Sequence, residues 1–467
     1  MSHTHSNRLF ALIALIICLF YHPGTQAADS PSEPDHKLIR SIHIHGVQRT
    51  DTSTIQLLSG LITGTPFDTV ETDSAKAKLL RIGRFSKADI VKVFKDEGVD
   101  IYLFLEELPS IRLSDIGGEL YSRKYGEQDR WWRMRVGITD ENFRGRMERL
   151  TFNFSFWEWR SLGAFWSKPI LTTPYFIGLG SSIARYPYDI RNYDYRDITA
   201  RITAGRQLNH SARIALSIIP TQRTRIGRAP GISESGSPAP DTTTFYEAFT
   251  ILGLVNDHRS RRFDPDKGYF VSTALRTNTL YQGLNNPLWQ LSNDINLYIP
   301  GFFPDHKFAF RLYNVLRATD AGSYHRILYG GDGQVRGYHT KQIGWNHIAN
   351  NSALFSAEYR FAIWNAPEMY LPLINLMFTG TNVVSWRLDG ALFFDYARMW
   401  PAIKDIFSTE GRVETARGFG AGLRVLFPAI QTSGCLDIAF GEKKGDGESE
   451  KSFSLPPMAH LYLNLHF

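Results

Sequence analysis

The chain has 467 residues, of which 43% are hydrophobic and 21% charged. This composition excludes a disordered chain, and the mean hydropathy of −0.24 excludes a bundle of membrane-spanning helices. The formal net charge is +6, but the sequence has no run of five Lys or Arg residues that would mark a nucleic-acid-binding segment. Aromatic residues make up 13% of the chain, a content that favours strands and surfaces at a bilayer interface.

The first 27 residues have the pattern of a secretory signal peptide. Arg8 precedes an unbroken apolar run over residues 9–20, and Ala27 follows at the spacing of a cleavage site. Twelve apolar residues are too few to cross a bilayer as a helix. We therefore expect an exported protein whose mature chain begins with a linker, residues 28–36. Cys435 is then its only cysteine, which excludes an intramolecular disulfide.

Residues 37–110 predict a small α/β domain. A short apolar strand before Gly46 is followed by two helical segments, the second over residues 69–81. Two alternating segments, residues 88–94 and 99–106, are joined by a Lys-Asp-Glu-Gly turn and predict a hairpin. The predicted order of elements is therefore β-α-α-β-β.

From residue 111 to residue 467 the pattern changes to alternating segments separated by polar, turn-rich stretches. At roughly 22 residues for each strand and half a hairpin, this length predicts about sixteen antiparallel strands, an even number as in single-chain bacterial barrels. A soluble all-β array such as a propeller is the alternative, but the sequence has no repeat of about 40 residues to support it. We expect an all-β transmembrane barrel, because an exported chain without an apolar helix crosses a membrane only in that form.

The last eight residues alternate without interruption between apolar and polar side chains. Leu461, Leu463, Leu465 and Phe467 share one face, and the polar residues between them share the other. This is the pattern of a strand with a lipid-facing side and a lumen-facing side. The terminal Phe467 also resembles the sorting signal of outer-membrane barrels. The alternative, a half-buried edge strand of a soluble sandwich, would expose a hydrophobic edge prone to aggregation.

A glycine-rich segment over residues 330–338 lies in a long predicted loop. Its sequence, Gly-Gly-Asp-Gly-Gln-Val-Arg-Gly-Tyr, surrounds one arginine with four glycines, which permit tight turns and close backbone approach. A phosphate-binding loop is poorly supported, since no Lys-Ser/Thr pair follows and no strand and helix flank the segment. The candidate site residues of this segment are Gly331, Val335, Arg336, Gly337 and Tyr338.

The four residues from Val335 to Tyr338 resemble the VRG(F/Y) motif of the BamA superfamily of outer-membrane assembly and translocation barrels. In that family the motif lies on a loop that folds back into the barrel lumen, where its arginine contacts acids on the wall. The matching acids are Glu358, and Asp395 in a Phe-Phe-Asp-Tyr stretch that resembles the family's F-x-D element. Independently of the family, a buried arginine needs a carboxylate, and a bidentate pair fixes the position of the loop.

Three other stretches resemble the same family. Asp257, Arg259, Pro265 and Gly268 match its D-x-R-x-x-x-x-x-P-x-x-G turn between middle strands. The Glu-Asn-Phe-Arg-Gly-Arg stretch at 141–146 resembles its turn near the start of the barrel. The α/β domain resembles a POTRA domain, the periplasmic module of the family. One such domain fits before the barrel, whereas the main assembly barrel carries several, so the resemblance leaves the task of this protein open.

The resemblance implies a bacterial outer-membrane protein with its POTRA-like domain in the periplasm. Its implied partners are the lipid bilayer, an unfolded or extended client polypeptide and a periplasmic protein at the POTRA-like domain. It implies neither a cofactor or metal ion nor a catalytic residue or nucleic acid. The function we expect is assembly, insertion or translocation of outer-membrane proteins. A dedicated protein-secretion or lipid-handling pore is one alternative. An outer-membrane enzyme barrel is another, although the sequence has no G-x-S-x-G element.

Overall fold

The computed structural model consists of a small α/β domain followed by a β-barrel. The described residues are 37–81, 84–108, 110–123, 129–157, 160–170, 173–188, 193–209, 211–227, 242–261, 263–281, 288–318, 334–338, 350–365, 369–370, 383–407, 413–427, 432–444, 451–453 and 457–463. The predicted signal peptide and linker lie outside them.

The α/β domain has the predicted order of elements. These are strand β1 (Ile39–His45), helices α1 (Thr52–Ser59) and α2 (Thr69–Arg81), and strands β2 (Phe85–Lys95) and β3 (Gly98–Glu107). The central strand β3 pairs in parallel with β1 and antiparallel with β2. Alternate apolar residues of β3, such as Ile101 and Leu103, form a buried core with Ile55 of α1 and Leu79 of α2. One face of the sheet is therefore covered by helices.

Sixteen long strands of the described chain form the closed barrel, and each is antiparallel to the next strand round the ring. They are β4 (Ile111–Arg123), β5 (Asp129–Phe143), β6 (Glu148–Trp157), β7 (Arg160–Pro169), β8 (Tyr175–Tyr188), β9 (Tyr193–Gln207), β10 (Ala212–Gly227), β11 (Thr242–Asp257), β12 (Gly268–Tyr281), β13 (Trp289–Pro300), β14 (His306–Arg317), β15 (Asn351–Asn365), β18 (Arg387–Trp400), β19 (Glu414–Phe427), β20 (Thr432–Lys444) and β22 (Met458–Leu463). β22 lies next to β4 and closes the ring.

Short elements lie between these strands. The two-residue strands β16 (Met369–Tyr370) and β17 (Val383–Val384) pair with each other between β15 and β18. A 3-10 helix, Ile403–Phe407, follows β18. The strand β21 (Lys451–Phe453) pairs with the last residues of β20.

The alternation of side chains gives the barrel an apolar outer surface. On β18, Leu392 and Phe394 are exposed while Ala391, Phe393 and Asp395 between and beside them are buried. The same alternation occurs on β10, where the exposed Leu216 and Ile218 lie on either side of the buried Ser217. Such an alternation is typical of a barrel with lipid outside and polar groups inside. Among the residues that the structure describes, no helix is long and apolar enough to span a membrane.

The first long turn of the barrel, between β5 and β6, is docked onto the α/β domain. Its Asn142 is fully buried and donates hydrogen bonds to Thr50 Oγ1 (2.6 Å) and to Glu107 (3.2 Å). The side-chain oxygen of Asn142 accepts a hydrogen bond from the backbone N–H of Met147 (2.8 Å), and the Met147 side chain joins the core of the α/β domain. We refer to this contact as the domain joint.

Charged groups and backbone contacts surround the domain joint. The backbone N–H of Asp51 donates to the carbonyl oxygen of Gly145 (3.0 Å). Gly145 has a φ of +72°, and a side chain there would collide with the backbone of the α/β domain. The ion pairs across the joint are Arg49 with Asp140 (2.5 Å), Arg84 with Glu141 (3.4 Å) and Arg146 with Asp51 (3.4 Å). These contacts fix the orientation of the domain at one end of the barrel.

We expect the domain joint to weaken in acid because of Glu107. Burial acts to raise the pKa of Glu107, but hydrogen bonds donated by Thr50 and by the backbone N–H groups of Arg49 and Gln48 outweigh it, so the pKa is lower than its ordinary value. A carboxylate with a lowered pKa stabilises the folded form at pH values above its ordinary pKa of about 4.3 and loses that contribution as the pH falls through the lowered value. The protection factors of the amides of residues 48–50, which correct for the intrinsic pH dependence of exchange, should therefore fall below about pH 4. Glu107→Gln should remove this pH dependence, whereas an unchanged pH profile in the variant would contradict the assignment.

Candidate functional site

The loop between β14 and β15 folds back into the barrel. It leaves β14 and enters β15 at the end of the barrel opposite the α/β domain, since consecutive strands are antiparallel. Its described residues, 334–338, lie inside the wall, where Val335 and Tyr338 pack with Leu354, Ala397 and Met399. We call residues 334–338 the lumen loop.

Arg336 of the lumen loop is bound by carboxylates of three strands. Its Nε and Nη2 donate to the two oxygens of Asp395 on β18 (2.7 and 2.8 Å), and its backbone N–H donates to the same group (3.1 Å). Its Nη1 donates to Glu358 on β15 and to Asp437 on β20 (3.1 Å). Arg336 is 2% exposed, and its guanidinium also lies over the ring of Phe393, 3.6 Å from the centroid. This bidentate arrangement fixes both the charge and the plane of the guanidinium.

Two more arginines complete the charge balance around Arg336. Arg424 on β19 pairs with Asp437 and with Glu358 (3.2 Å). Arg360, two residues from Glu358 on the same strand, donates its Nε to the second oxygen of Glu358 (2.7 Å). The resulting Arg336 cluster comprises three cations and three carboxylates: Arg336, Arg360, Arg424, Glu358, Asp395 and Asp437. The equal number of positive and negative charges matters, because an unpaired charge buried in the barrel wall would cost several kcal/mol of folding free energy.

The remaining residues of the lumen loop contact the last strands of the barrel. The backbone N–H of Gly337 donates to Nε2 of His460 on β22 (2.9 Å). The hydroxyl of Tyr338 donates to the carbonyl oxygen of Glu442 on β20 (2.5 Å). Gly337 has a φ of +90° and lies against the backbone of β20 so closely that a side chain would collide with it. The motif therefore needs glycine for both conformation and close approach.

The last strand is also joined to the Arg336 cluster. The hydroxyl of Tyr462 on β22 donates to Asp437 (2.8 Å), the carboxylate that Arg336 also contacts. Within the described part of β22, His460 and Tyr462 are buried on the lumen side and Leu461 is exposed, as the alternation predicted. The side chain of Leu463 is not described, and Leu465 and Phe467 lie outside the described residues.

The structure brings the predicted Arg336, Glu358 and Asp395 into one contact. Val335, Gly337 and Tyr338 surround them, while Gly331 lies outside the described residues. Sequence reasoning missed Arg360, Arg424 and Asp437, and it placed His460 and Tyr462 on the lumen side of the last strand without linking them to Arg336. Each of the three missed residues is a charged residue between apolar or aromatic neighbours on a strand. That pattern was a usable signal, because a polar side chain at such a position faces the lumen.

The turn between β11 and β12 contains the other predicted motif. Asp257 and Arg259 form a bidentate pair (2.8 and 2.9 Å), and Gly268 has a φ of +108° where a side chain would collide with the backbone of His258. Pro265 is buried in the same turn. The motif residues thus fix the shape of the turn, with no contact to the lumen loop among the described residues.

The described residues provide no group of three or more His, Cys, Asp or Glu placed to hold a metal ion. The buried cysteine Cys435 lies beside Ser433 (3.7 Å between Sγ and Oγ) on the lumen side of β20. The charged groups of the barrel interior contact one another, so the cluster is suited to holding a segment of chain in place. It has none of the geometry of an activated nucleophile.

Comparison with family models decides the classification. Residues 124–455 match the model of the Omp85 superfamily domain. The chain belongs to the Omp85 superfamily. The Omp85 match includes the lumen loop and all six residues of the Arg336 cluster. No curated protein sequence matches the chain.

Solved structures share the fold of this Omp85 barrel at low sequence identity. BamA from Haemophilus ducreyi lacking POTRA domains 1–3 superposes with a TM-score of 0.62 at 16% identity, over 92% of this chain and 84% of that one. CdiB from Acinetobacter baumannii gives a TM-score of 0.56 at 11% identity, over 92% and 74% of the two chains. CdiB from Escherichia coli gives 0.55 at 13% identity, over 92% and 76%. The resemblance predicted from the sequence motifs is confirmed, and the chain is a bacterial outer-membrane barrel.

We expect Arg336→Ala to destabilise the folded barrel markedly. The substitution leaves Asp395 buried with its bidentate partner removed, at a cost of about 3–5 kcal/mol in a dry site and less where water enters. The measurement is the temperature at which the folded barrel loses its characteristic gel mobility. Arg417→Ala is the matched control, since Arg417 is a half-exposed arginine of β19 in a loose ion pair (3.8 Å). Equal transition temperatures in the two variants would contradict a stabilising role for Arg336.

Proposed function

We propose that this Omp85 barrel assembles or passes polypeptide clients at the outer membrane, with the lumen loop controlling the last strand. The observation that carries the proposal is the contact of the lumen loop with β22. Gly337 binds His460 of β22, and Arg336 shares Asp437 with Tyr462 of the same strand. The position of the loop therefore bears on the strand that closes the ring against β4.

The seam between β4 and β22, the first and last strands of the barrel, is the pairing that we expect to open. Opening it exposes two strand edges whose backbone groups a client strand would pair with. Pro456 and Pro457 directly precede β22 and lack the N–H groups that continue a ladder of hydrogen bonds. A client hairpin formed on such an edge enters the bilayer with its backbone groups already satisfied, which avoids the main cost of insertion.

The α/β domain supports capture of a client before it reaches the seam. In its sheet, β2 pairs only with β3, so its other edge is unpaired within the described chain. Val91 and Val93 of this strand are exposed. An extended peptide can add to such an edge as a further strand. The domain joint keeps this edge at the end of the barrel where the α/β domain lies, which we place in the periplasm.

A dedicated secretion pore or a lipid-handling pore of the same superfamily is the second candidate. It is supported by similarity to CdiB structures over as much of this chain as the similarity to BamA, 92% in both cases. The two candidates differ in what happens to the client. An assembly factor inserts its client, folded, into the bilayer, whereas a secretion pore passes its client across the bilayer and releases it.

We expect the mature protein, reconstituted in liposomes, to accelerate the folding of small barrel proteins added from urea. Folded client is measured by its gel mobility over time, with empty liposomes as the baseline. Arg336→Ala should lose most of the acceleration because it releases the lumen loop from β15, β18 and β20 together. Arg417→Ala should retain it, since that side chain lies outside the Arg336 cluster.

Two outcomes would contradict this proposal. A well-folded wild-type barrel that gives no acceleration would exclude assembly and favour secretion or lipid handling. Equal acceleration by wild type and by a folded Arg336→Ala variant would separate the lumen loop from the working cycle.

A client should contact the free edge of β2 directly. We expect a photoreactive benzophenone side chain at Val91, which is 46% exposed on that edge strand, to cross-link to an unfolded client. The same group at Val70 of α2 is the control, because that residue is 65% exposed but lies on a helix with no strand edge. Cross-linking of similar yield at both positions would contradict capture by strand addition.

A further inference from the structure

The turn between β11 and β12 enters the barrel from the end at which the α/β domain lies. β5 ends at the domain joint, and the antiparallel order from β5 to β11 therefore places the end of β11 at the same side. Asp264 in this turn contacts Lys307 of β14 and Arg387 of β18. Neighbouring strands lie about 4.8 Å apart, so a turn that leads into β12 and contacts β18, four strands further round, must extend across the inside of the barrel.

Asp264 is the residue of this turn that is bound by side chains of the barrel strands. It is 5% exposed, and its carboxylate accepts hydrogen bonds from Lys307 Nζ (2.5 Å) and Arg387 Nη2 (2.7 Å). Its backbone carbonyl accepts a hydrogen bond from Arg261 Nε of the same turn (2.9 Å). Asp264 has a φ of +46°, a conformation uncommon for residues other than glycine that persists where surrounding contacts impose it.

The surroundings of Asp264 form a second balanced charge cluster. Arg387 binds Asp389 through two hydrogen bonds of 2.6 Å while also contacting Asp264. The Asp264 cluster thus comprises two acids and two bases: Asp264, Asp389, Lys307 and Arg387. Nothing in the sequence motif pointed to Asp264, because Asp257, Arg259, Pro265 and Gly268 carry the resemblance.

The two clusters meet on one strand. Arg360 of β15 donates its Nε to Glu358, a member of the Arg336 cluster, and its Nη1 lies 3.9 Å from Asp264. Glu358 in turn contacts Arg336 of the lumen loop. A continuous path of buried charges therefore runs from the turn at one end of the barrel to the lumen loop that enters from the other. Each step is a direct ion pair between side chains that are at most 6% exposed.

We propose that Asp264 is a positioning residue that holds the β11–β12 turn inside the barrel and, through Arg360 and Glu358, sets the position of the lumen loop. Release of the turn withdraws the negative charge beside Arg360. Arg360 then turns fully toward Glu358 and competes with Arg336 for it. A protein or client that pulls the turn at the domain end thereby loosens the loop that holds β22. This inference is independent of whether the barrel assembles or secretes its clients.

Amide hydrogen exchange in the folded barrel tests the proposal. The informative amides are those of Arg336 and Gly337, whose N–H groups are bound by Asp395 and His460. In Asp264→Asn we expect them to exchange about tenfold or more faster, because hydrogen bonds to charged groups are lost along the path. Asp266→Asn is the matched control, since Asp266 is in the same turn, 60% exposed and paired with Arg261 (2.7 Å), with only a long contact to Lys307 (3.8 Å). Asp266→Asn should leave amide exchange unchanged both at residues 336–337 and in the β11–β12 turn.

A second variant separates coupling from general destabilisation by an unpaired charge. Asp264→Asn combined with Lys307→Met removes one acid and one base, so the cluster stays neutral and the barrel should fold as well as wild type. Faster exchange at 336–337 in this double variant would support the coupling. Two results in either Asp264 variant would overturn the coupling. One is faster exchange within residues 257–268 but not at residues 336–337, and the other is unchanged exchange in both segments.

Discussion

The burial of one guanidinium inside a barrel wall constrains much of this structure. Arg336 enters the lumen on a loop from the end of the barrel opposite the α/β domain, and its side chain is buried there. Its charge is tolerable only where acids surround it, so β15, β18 and β20 must each present a carboxylate at the same height. Arg360 on β15 and Arg424 on β19 balance the remaining charge, so the cluster joins four neighbouring strands.

The lumen loop consequently holds a fixed segment of chain against the inner face of the barrel wall. Apolar residues seat the loop against β15 and β18, while glycines in the motif and on β19 and β20 allow backbones to touch. Hydrophobic packing gives the contact its stability, and the ion pairs give it a unique position. Contacts of this number and direction define one position of the loop closely, which is compatible with the control of β22 proposed above.

The sequence was sufficient to predict the architecture and the central residues of the site. It was not sufficient to predict contacts that depend on the register between distant strands. The alternation of side chains predicted the barrel, and a four-residue motif led to Arg336, Glu358 and Asp395. Arg336 and Asp437 lie 101 residues apart, and their meeting depends on how many strands separate them round the ring. Asp264 was hidden for a related reason: it stands inside a recognised motif but acts through strands outside it.

The shared core at the domain joint bears on the order in which this protein matures. Met147 lies in the turn between β5 and β6 of the barrel but completes the apolar interior of the α/β domain. A chain in which β5 and β6 have not yet paired leaves a gap in that interior, so the α/β domain reaches its final packing only together with the barrel. We expect a chain arrested before this turn has docked to carry a loosened α/β domain that is more sensitive to protease.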